Sequence, residues 1–205
     1  IDKFLYWIEI GSKNTDISCT EILINYYANI KDYENLEKYL LHGYQINPKK
    51  FIFKLVRYYQ QFLSHEDKVL KYLEYGAILE DKDCLYSLGK RNSYNLELAS
   101  HYYMKSIKKG HKLALNSLGC LHYNFRNYIL AEQYLKLALK YIPEKYSFYL
   151  GCLYLDKYKD IEKAIEYFKF DLNYIRNLLE LCKIYQNKKD YNKKALQYVC
   201  GTCLL

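Results

Sequence analysis

The chain has 205 residues, 51% of them apolar, and only eight glycines and two prolines interrupt it. So few turn-formers exclude a β-sandwich or barrel, which needs a turn every few residues. The balance of 31 basic against 23 acidic residues, a net +8, favours an acidic partner but lacks the dense basic tract of a dedicated nucleic-acid arm.

Tyrosine reaches 27 residues, and Asn, Lys and Ile are also plentiful. These residues share AT-rich codons, so the excess points to an AT-rich genome, such as that of a giant DNA virus, a protist or a bacterium, before it points to base stacking. Tyrosine also fills cores and interfaces well, with an apolar body and a polar tip. Seven cysteines, an odd number, and no signal-peptide layout indicate free thiols in a reducing compartment, so a cytoplasmic location is expected, the host cytoplasm if the protein is viral. No run of about 18 apolar residues is present, and no membrane span is expected. The chain begins at Ile1 rather than Met, which reads as a fragment.

In chain order, the apolar stretch Ile1 to Ile10 is followed by Gly11. Gly11, Gly43, Gly76 and Gly110 recur every 32 to 34 residues, each after an apolar segment. A glycine just past a helix end can take the left-handed conformation that terminates it. Residues 1–16 therefore read as a half repeat that contributes one helix, Asp2 to Ile10. In residues 17–49, a helix from Ser18 to Ile30 presents Leu23 and Tyr27. Asp32 is a plausible N-cap, Leu36, Leu40 and Gly43 follow at i, i+4 and i+7, and Pro48 resets the chain. Residues 50–81 place Phe53, Val56 and Tyr59 on one helix, Ser64 with Asp67 as a capping-box-like start, and Val69, Leu73 and Gly76 on the next.

Residues 82–111 hold Leu88-Gly89, a turn near Asn92-Ser93, and a second helix from Leu96 to Lys109. Residues 112–144 carry Leu118, Gly119 and His122, then Ala131, Leu135 and Ala138, and Pro143. Residues 145–174 repeat the theme with Leu150, Gly151, Tyr154, Ala164 and Phe168. Residues 175–205 do so with Leu181, Cys182, Tyr185, Asp190, Ala195 and Val199. Ala99, Ala131, Ala164 and Ala195 are spaced by 31 to 33, and small residues at one helical position let stacked helices approach closely.

Two helices per period of 31 to 34 residues resemble the tetratricopeptide repeat. Leu118, Gly119, Ala131, Leu135, Ala138 and Pro143 occupy that family's signature positions, with His122 where tyrosine is usual. Leu150, Gly151 and Tyr154 also resemble the related Sel-like repeats, although the Gly-rich turn of those repeats is absent. The resemblance implies an all-α, right-handed α-solenoid of about six antiparallel helix-turn-helix repeats, a single domain over 1–205. Ankyrin repeats share the period but need a T-P-L-H turn and a β-hairpin, and neither is present.

No residue is nominated as catalytic. There is no H-E-x-x-H, G-x-S-x-G, P-loop or Rossmann glycine pattern. Cys200 and Cys203 form a C-x-x-C pair at the end of a helical pattern, where the dipole does not favour a thiolate, and no second pair completes a zinc set. Cys120 and Cys152 hold equivalent positions and read as small packing residues. No metal or cofactor is expected, and the protein is not expected to be an enzyme.

The resemblance implies a binding scaffold whose first helices line a concave face. The expected partner-binding residues are Asn25, Asn29, Lys54, Tyr58, Gln61, Tyr86, Lys90, Asn116, Tyr123, Asn124, Lys183 and Gln186, with Phe148 and Asp156 nearby. Amides can bond a peptide backbone, lysines its carboxylates and tyrosines its apolar side chains. Some family members grip a C-terminal carboxylate with a Lys/Asn clamp, and here Glu21 stands where the first clamp lysine would. The expected partner is a protein or peptide. Nucleic acid on a Lys/Tyr-rich face is the alternative, with Lys105, Lys108, Lys109, His111 and Lys112, and Lys188, Lys189, Lys193 and Lys194, as its basic clusters. A homodimer through the apolar N-terminal segment, with Phe4, Leu5, Trp7 and Ile8, is a third reading.

Overall fold

The structure is a computed structural model and describes residues 3–63, 65–141 and 143–187. Among them every regular element is helical. The helices are α1 (Lys3–Lys13), α2 (Ile17–Asn29), α3 (Tyr33–Ile46), α4 (Pro48–Tyr58), α5 (Glu66–Ile78), α6 (Lys82–Arg91), α7 (Leu96–Lys108), α8 (Leu113–Asn124), α9 (Tyr128–Leu139), α10 (Pro143–Asp156), α11 (Ile161–Lys169) and α12 (Ile175–Asn187). A π-helical turn, Tyr59–Leu63, prolongs α4. The architecture is an all-α series of antiparallel helix pairs. Ser64, Lys188, Lys189, Asp190, Lys193, Lys194, Ala195, Val199, Cys200 and Cys203, named above, lie outside the described residues.

The turns follow one recipe. Thr15, Lys31, Glu80, Arg126 and Lys159 are left-handed, with φ between 56° and 65°. At the first four, the residue after it donates its N–H five residues back, as in Asp16 to the Gly11 carbonyl, Asp32 to Tyr27, Asp81 to Gly76 and Asn127 to His122. The left-handed residue itself donates three back. That pair of bonds closes a helix C-terminus. The aspartates then cap the next helix. Asp16 accepts from Ser18 and Cys19, Asp32 from Asn35, Asp81 from Asp83 and Cys84, and Asp160 from Lys163. One dipeptide thus ends one helix and starts the next, and the N-cap expected at Asp32 is observed.

The glycine register has a different cause from the one expected. Gly11, Gly43 and Gly76 lie inside α1, α3 and α5, not beyond their ends, and α1 continues to Lys13. Each meets the side chain eight residues on, at the start of the following helix: Cys19, Phe51 and Cys84. Only Gly110 has the left-handed backbone, with φ 87°. The start of α5 also differs: His65 is its N-cap and provides no side-chain bond. Gly119 and Gly151 pack against Leu135 and Phe168 of their own hairpin partners.

The chain divides into two compact units, Ile1–Arg91 with Lys108–Gly110, and Asn92–Ile107 with His111–Leu205. In the first, Leu23, Leu36, Leu40, Phe51, Ile52, Leu55, Val56 and Leu73 are buried. In the second, Ala131, Leu135, Leu150, Leu153, Ala164, Phe168 and Leu181 are fully buried. Ala99, in register with Ala131 and Ala164, is also fully buried. At about 25 cal/mol per Å² of apolar surface, these helix-to-helix seams are the main stabilising term.

Candidate partner-binding face

Within each unit the first helices of neighbouring pairs lie side by side, and hydrogen bonds across them show which side chains are engaged. In the first unit, Glu21 on α2 accepts from Lys50 and Lys54 on α4, at 2.8 and 2.7 Å. These two bonds, Lys50 first, hold its carboxyl below the usual range. Lys54 is therefore exposed but already engaged, and its ammonium also lies 5.0 Å from the Phe51 ring centroid. The carboxylate at the clamp position is neutralised from the next repeat.

Asn25 and Asn29 follow Glu21 on the same exposed side of α2, and Gln61 is exposed on the π-helical turn. Tyr58 departs from expectation. It is buried, and its hydroxyl donates to the Tyr33 carbonyl at 2.9 Å. It belongs to the inter-repeat seam and is not a groove residue. Counting one repeat on from Asn25, the outward residue of α4 is Arg57, which is exposed and was not nominated from sequence. An alternating pattern of apolar and basic residues in α4 did not reveal which neighbour was buried. Lys90 is exposed at the end of α6, and Tyr86 one turn earlier is half-buried.

The second unit is built alike. Tyr123 on α8 donates to Asp156 on α10 at 2.6 Å, and its ring lies 5.9 Å from that of Tyr149. Burial, and then the bond to Asp156, raise the Tyr123 hydroxyl well above its ordinary pKa. Asn116 is half-buried, and its amide oxygen is enclosed without a hydrogen-bond donor. Asn124 and Gln186 are exposed, while Lys183 bonds Glu180 on its own helix at 2.7 Å. Phe148 is half-buried among Tyr149, Phe168 and Tyr174.

Burial raises the thiols of Cys120 and Cys152 to about 12, so neither supplies a thiolate near neutrality. Cys19, Cys84, Cys120, Cys152 and Cys182 are free thiols. Among the described residues, no group of three or more His, Cys, Asp or Glu is placed to hold a metal ion. No helix there is long and apolar enough to cross a membrane.

With this geometry, comparison with known proteins is informative at the level of fold. No protein-family model and no curated protein matches the sequence. Solved structures do. A protective antigen present in uropathogenic Escherichia coli strains, displaying an SLR fold, superposes with TM-score 0.72 and 19% identity over 88% of this chain. The fold is a tetratricopeptide/Sel-like helical repeat. PilF of Pseudomonas aeruginosa gives TM-score 0.71 at 13% identity, over 92% of this chain and 90% of its own. PilW, a widely conserved type IV pilus biogenesis factor, gives 0.64 at 18% identity, over 89% and 90%. This chain spans 44% of the antigen's length.

Some tyrosines of this repeat fold stack on one another, while others, such as Tyr75 and Tyr94, are exposed. Tyr27 stacks on Tyr39, Tyr59 on Tyr72 and Tyr154 on Tyr167, with centroids 5.2 to 5.5 Å apart. Lys109, from the basic cluster, is paired with Glu80, and Lys112 lies 4.5 Å from the Tyr141 ring centroid.

Proposed function

We propose that this protein is a non-catalytic scaffold that binds a partner polypeptide along the outward side of its first helices. In the first unit the contact residues are Asn25, Asn29, Arg57, Gln61 and Lys90. One observation carries the reading. Asn25 and Asn29 on α2, and Arg57 and Gln61 at the same helix positions one repeat later, are exposed and make no side-chain bond among the described residues. The lysines beside them, Lys50 and Lys54, are spent on Glu21. A row of amides can bond an extended backbone, and unpaired cations on the same side select carboxylates. In the second unit Asn124 holds the position of Asn29 and Gln186 is a further exposed amide, while Tyr123 and Asp156 are bonded to each other.

A polypeptide suits this surface better than a nucleic acid. Single-strand binding requires aromatic faces open to bases along a basic groove, whereas the tyrosines of this row, Tyr58 and Tyr123, are packed and bonded to Tyr33 and Asp156. Competition capture from the native cell separates the alternatives. Arg57→Glu with Lys90→Glu is expected to lose the partner that wild type retains. Unchanged capture would reject the assignment. Tight binding of mixed-sequence oligonucleotides, weakening steeply with salt, would replace it with the nucleic-acid reading.

A further inference from the structure

In the second unit, the turn from α8 to α9 and the end of α10 enclose an open depression of about 530 Å³. Arg126, Asn127, Tyr128, Ile129, Leu130 and Lys157 line it. The volume falls within the range of about 300–1,000 Å³ usual for ligand clefts. Ile129 is 73% exposed and Leu130 40%, so its apolar floor is open to solvent.

The equivalent turns show what is unusual at this one. Asp32, Asn127 and Asp160 hold the same place, each after a left-handed residue, Lys31, Arg126 or Lys159. Asp32 and Asp160 cap the next helix with their carboxylates, whereas Asn127 makes no side-chain cap bond. Two residues on, α3 has Glu34 and α11 has Glu162, but α9 has Ile129. α5 and α7 also carry an acid in the first turn, Glu66 and Glu97. The helix dipole favours an acid there. α9 forgoes it and exposes two apolar side chains instead. The rim, by contrast, is basic. Arg126 and Lys157 are exposed, and neither makes an ion pair among the described residues. The Lys157 ammonium lies 5.5 Å from the Tyr128 ring centroid. The acids next to these residues in the chain are engaged: Asp156 with Tyr123, Asp160 with Lys163, and Glu132 with Lys136, Tyr154 and Tyr158.

We propose that this depression is a second polypeptide-binding site, for a partner segment in which acidic residues flank one or two bulky apolar ones. The apolar side chains enter against Ile129 and Leu130. The flanking carboxylates pair with Arg126 and Lys157, and supply the negative charge that Asp32, Glu34, Asp160 and Glu162 provide at the equivalent turns. Charge complementarity selects this occupant, because the lining holds two unpaired cations and no acid. A nucleic acid would bring phosphates to the same rim but needs an aromatic face for its bases. Here the floor is aliphatic and Lys157 lies over the Tyr128 ring. The site shares no residue with the row of Asn25, Asn29, Arg57, Gln61 and Lys90, and does not depend on it.

The test is fluorescence anisotropy with a labelled mixture of octapeptides. Each has Asp or Glu at every position except the central two, which are drawn from Leu, Ile, Val and Phe. The whole chain is used with Arg57→Glu and Lys90→Glu in place, so that the row in the first unit does not capture the acids. Saturable binding with a Kd on the order of 10–100 µM is expected. Adding Arg126→Glu or Ile129→Asp should weaken it about tenfold or more, with unchanged circular dichroism because both side chains are exposed. Octapeptides with glycine at the centre should bind more weakly by a similar factor. Absence of saturable binding overturns the proposal. So does binding that ignores both substitutions, or that is equally strong with glycine at the centre. Displacement of the peptides by a mixed-sequence oligonucleotide that itself binds more tightly, and loses that binding with Arg126→Glu, overturns it in favour of a phosphate ligand.

Discussion

Gly43 on α3 lies against the ring of Phe51 on α4, so closely that a Cβ at residue 43 would stand 2.8 Å from a ring carbon. Phe51 is fully buried and has no room to retreat. Gly43→Ala is therefore expected to destabilise the first unit. Overpacking costs about 1–3 kcal/mol. Improved helix propensity returns about 1 kcal/mol. The net loss, up to about 2 kcal/mol, would be read as a lower denaturant midpoint at constant slope. A gain in stability would show that the helix pair opens without cost.

The shared turn recipe makes two opposite predictions at adjacent residues. Asp32 accepts from the Asn35 N–H at 3.1 Å, and Asp32→Ala should cost about 1 kcal/mol through the lost cap. Lys31 beside it has φ 60°, a conformation that costs a side-chain-bearing residue about 1 kcal/mol. Lys31→Gly should relieve that strain, less the entropy glycine adds to the unfolded chain, and leave a smaller gain or no change. Thermal unfolding of both variants checks the pair. Equal destabilisation would mean that the Lys31 side chain carries packing of its own.

The helical periodicity was legible because each helix buries one stripe, and Ala99, Ala131 and Ala164 in register are all fully buried. The glycine roles were not. A glycine ending a helix and a glycine at a helix crossing both follow an apolar segment. They differ only in what lies eight residues on, and in whether the next Asp or Asn closes the turn. Left-handed positions filled by Thr, Lys, Glu and Arg give no glycine signal at all. On the candidate face, Asn25 and Asn29 were readable as polar positions off the core stripe. Tyr58 and Arg57 were not separable, because α4 is covered on two sides and the boundary between them depends on how α2 and α3 pack.

Glu132 offers a pH-dependent test in the second unit. Its carboxylate accepts from Lys136 Nζ at 2.6 Å and from the hydroxyls of Tyr154 and Tyr158 at 2.7 Å each. Burial opposes ionisation, but these three donors outweigh it and lower the pKa to about 2. The folded state thus holds the charged form more strongly than the unfolded chain does. The stabilisation is complete above the ordinary carboxylate value of 4.5 and is lost as pH falls towards 2. Lys136 remains half-exposed, so screening limits the contribution to about 2 kcal/mol. Glu132→Gln should lower stability at pH 7 by that order and flatten its decline between pH 4.5 and 2. An unaltered acid limb in the variant would assign the decline to other carboxylates.

His122 acts in the same unit and in a higher pH range. It is buried and stacked on Tyr134 with centroids 5.5 Å apart. Its Nδ1 has no hydrogen-bond partner among the described residues. Burial lowers its pKa below the ordinary 6.5, because a charged imidazolium there would lose water without gaining an acceptor. The unfolded chain therefore binds the proton more readily than the folded one. Stability from the neutral ring is complete above about pH 6.5 and declines as pH falls below it, until the folded ring also protonates. His122→Phe keeps a ring for Tyr134 to stack upon and removes the titration. Melting curves at pH 7.5 and 5.5 should show a smaller difference for the variant than for wild type. An equal difference would place the titrating group elsewhere. A variant melting far lower at both values would show that the imidazole is held by more than the Tyr134 ring.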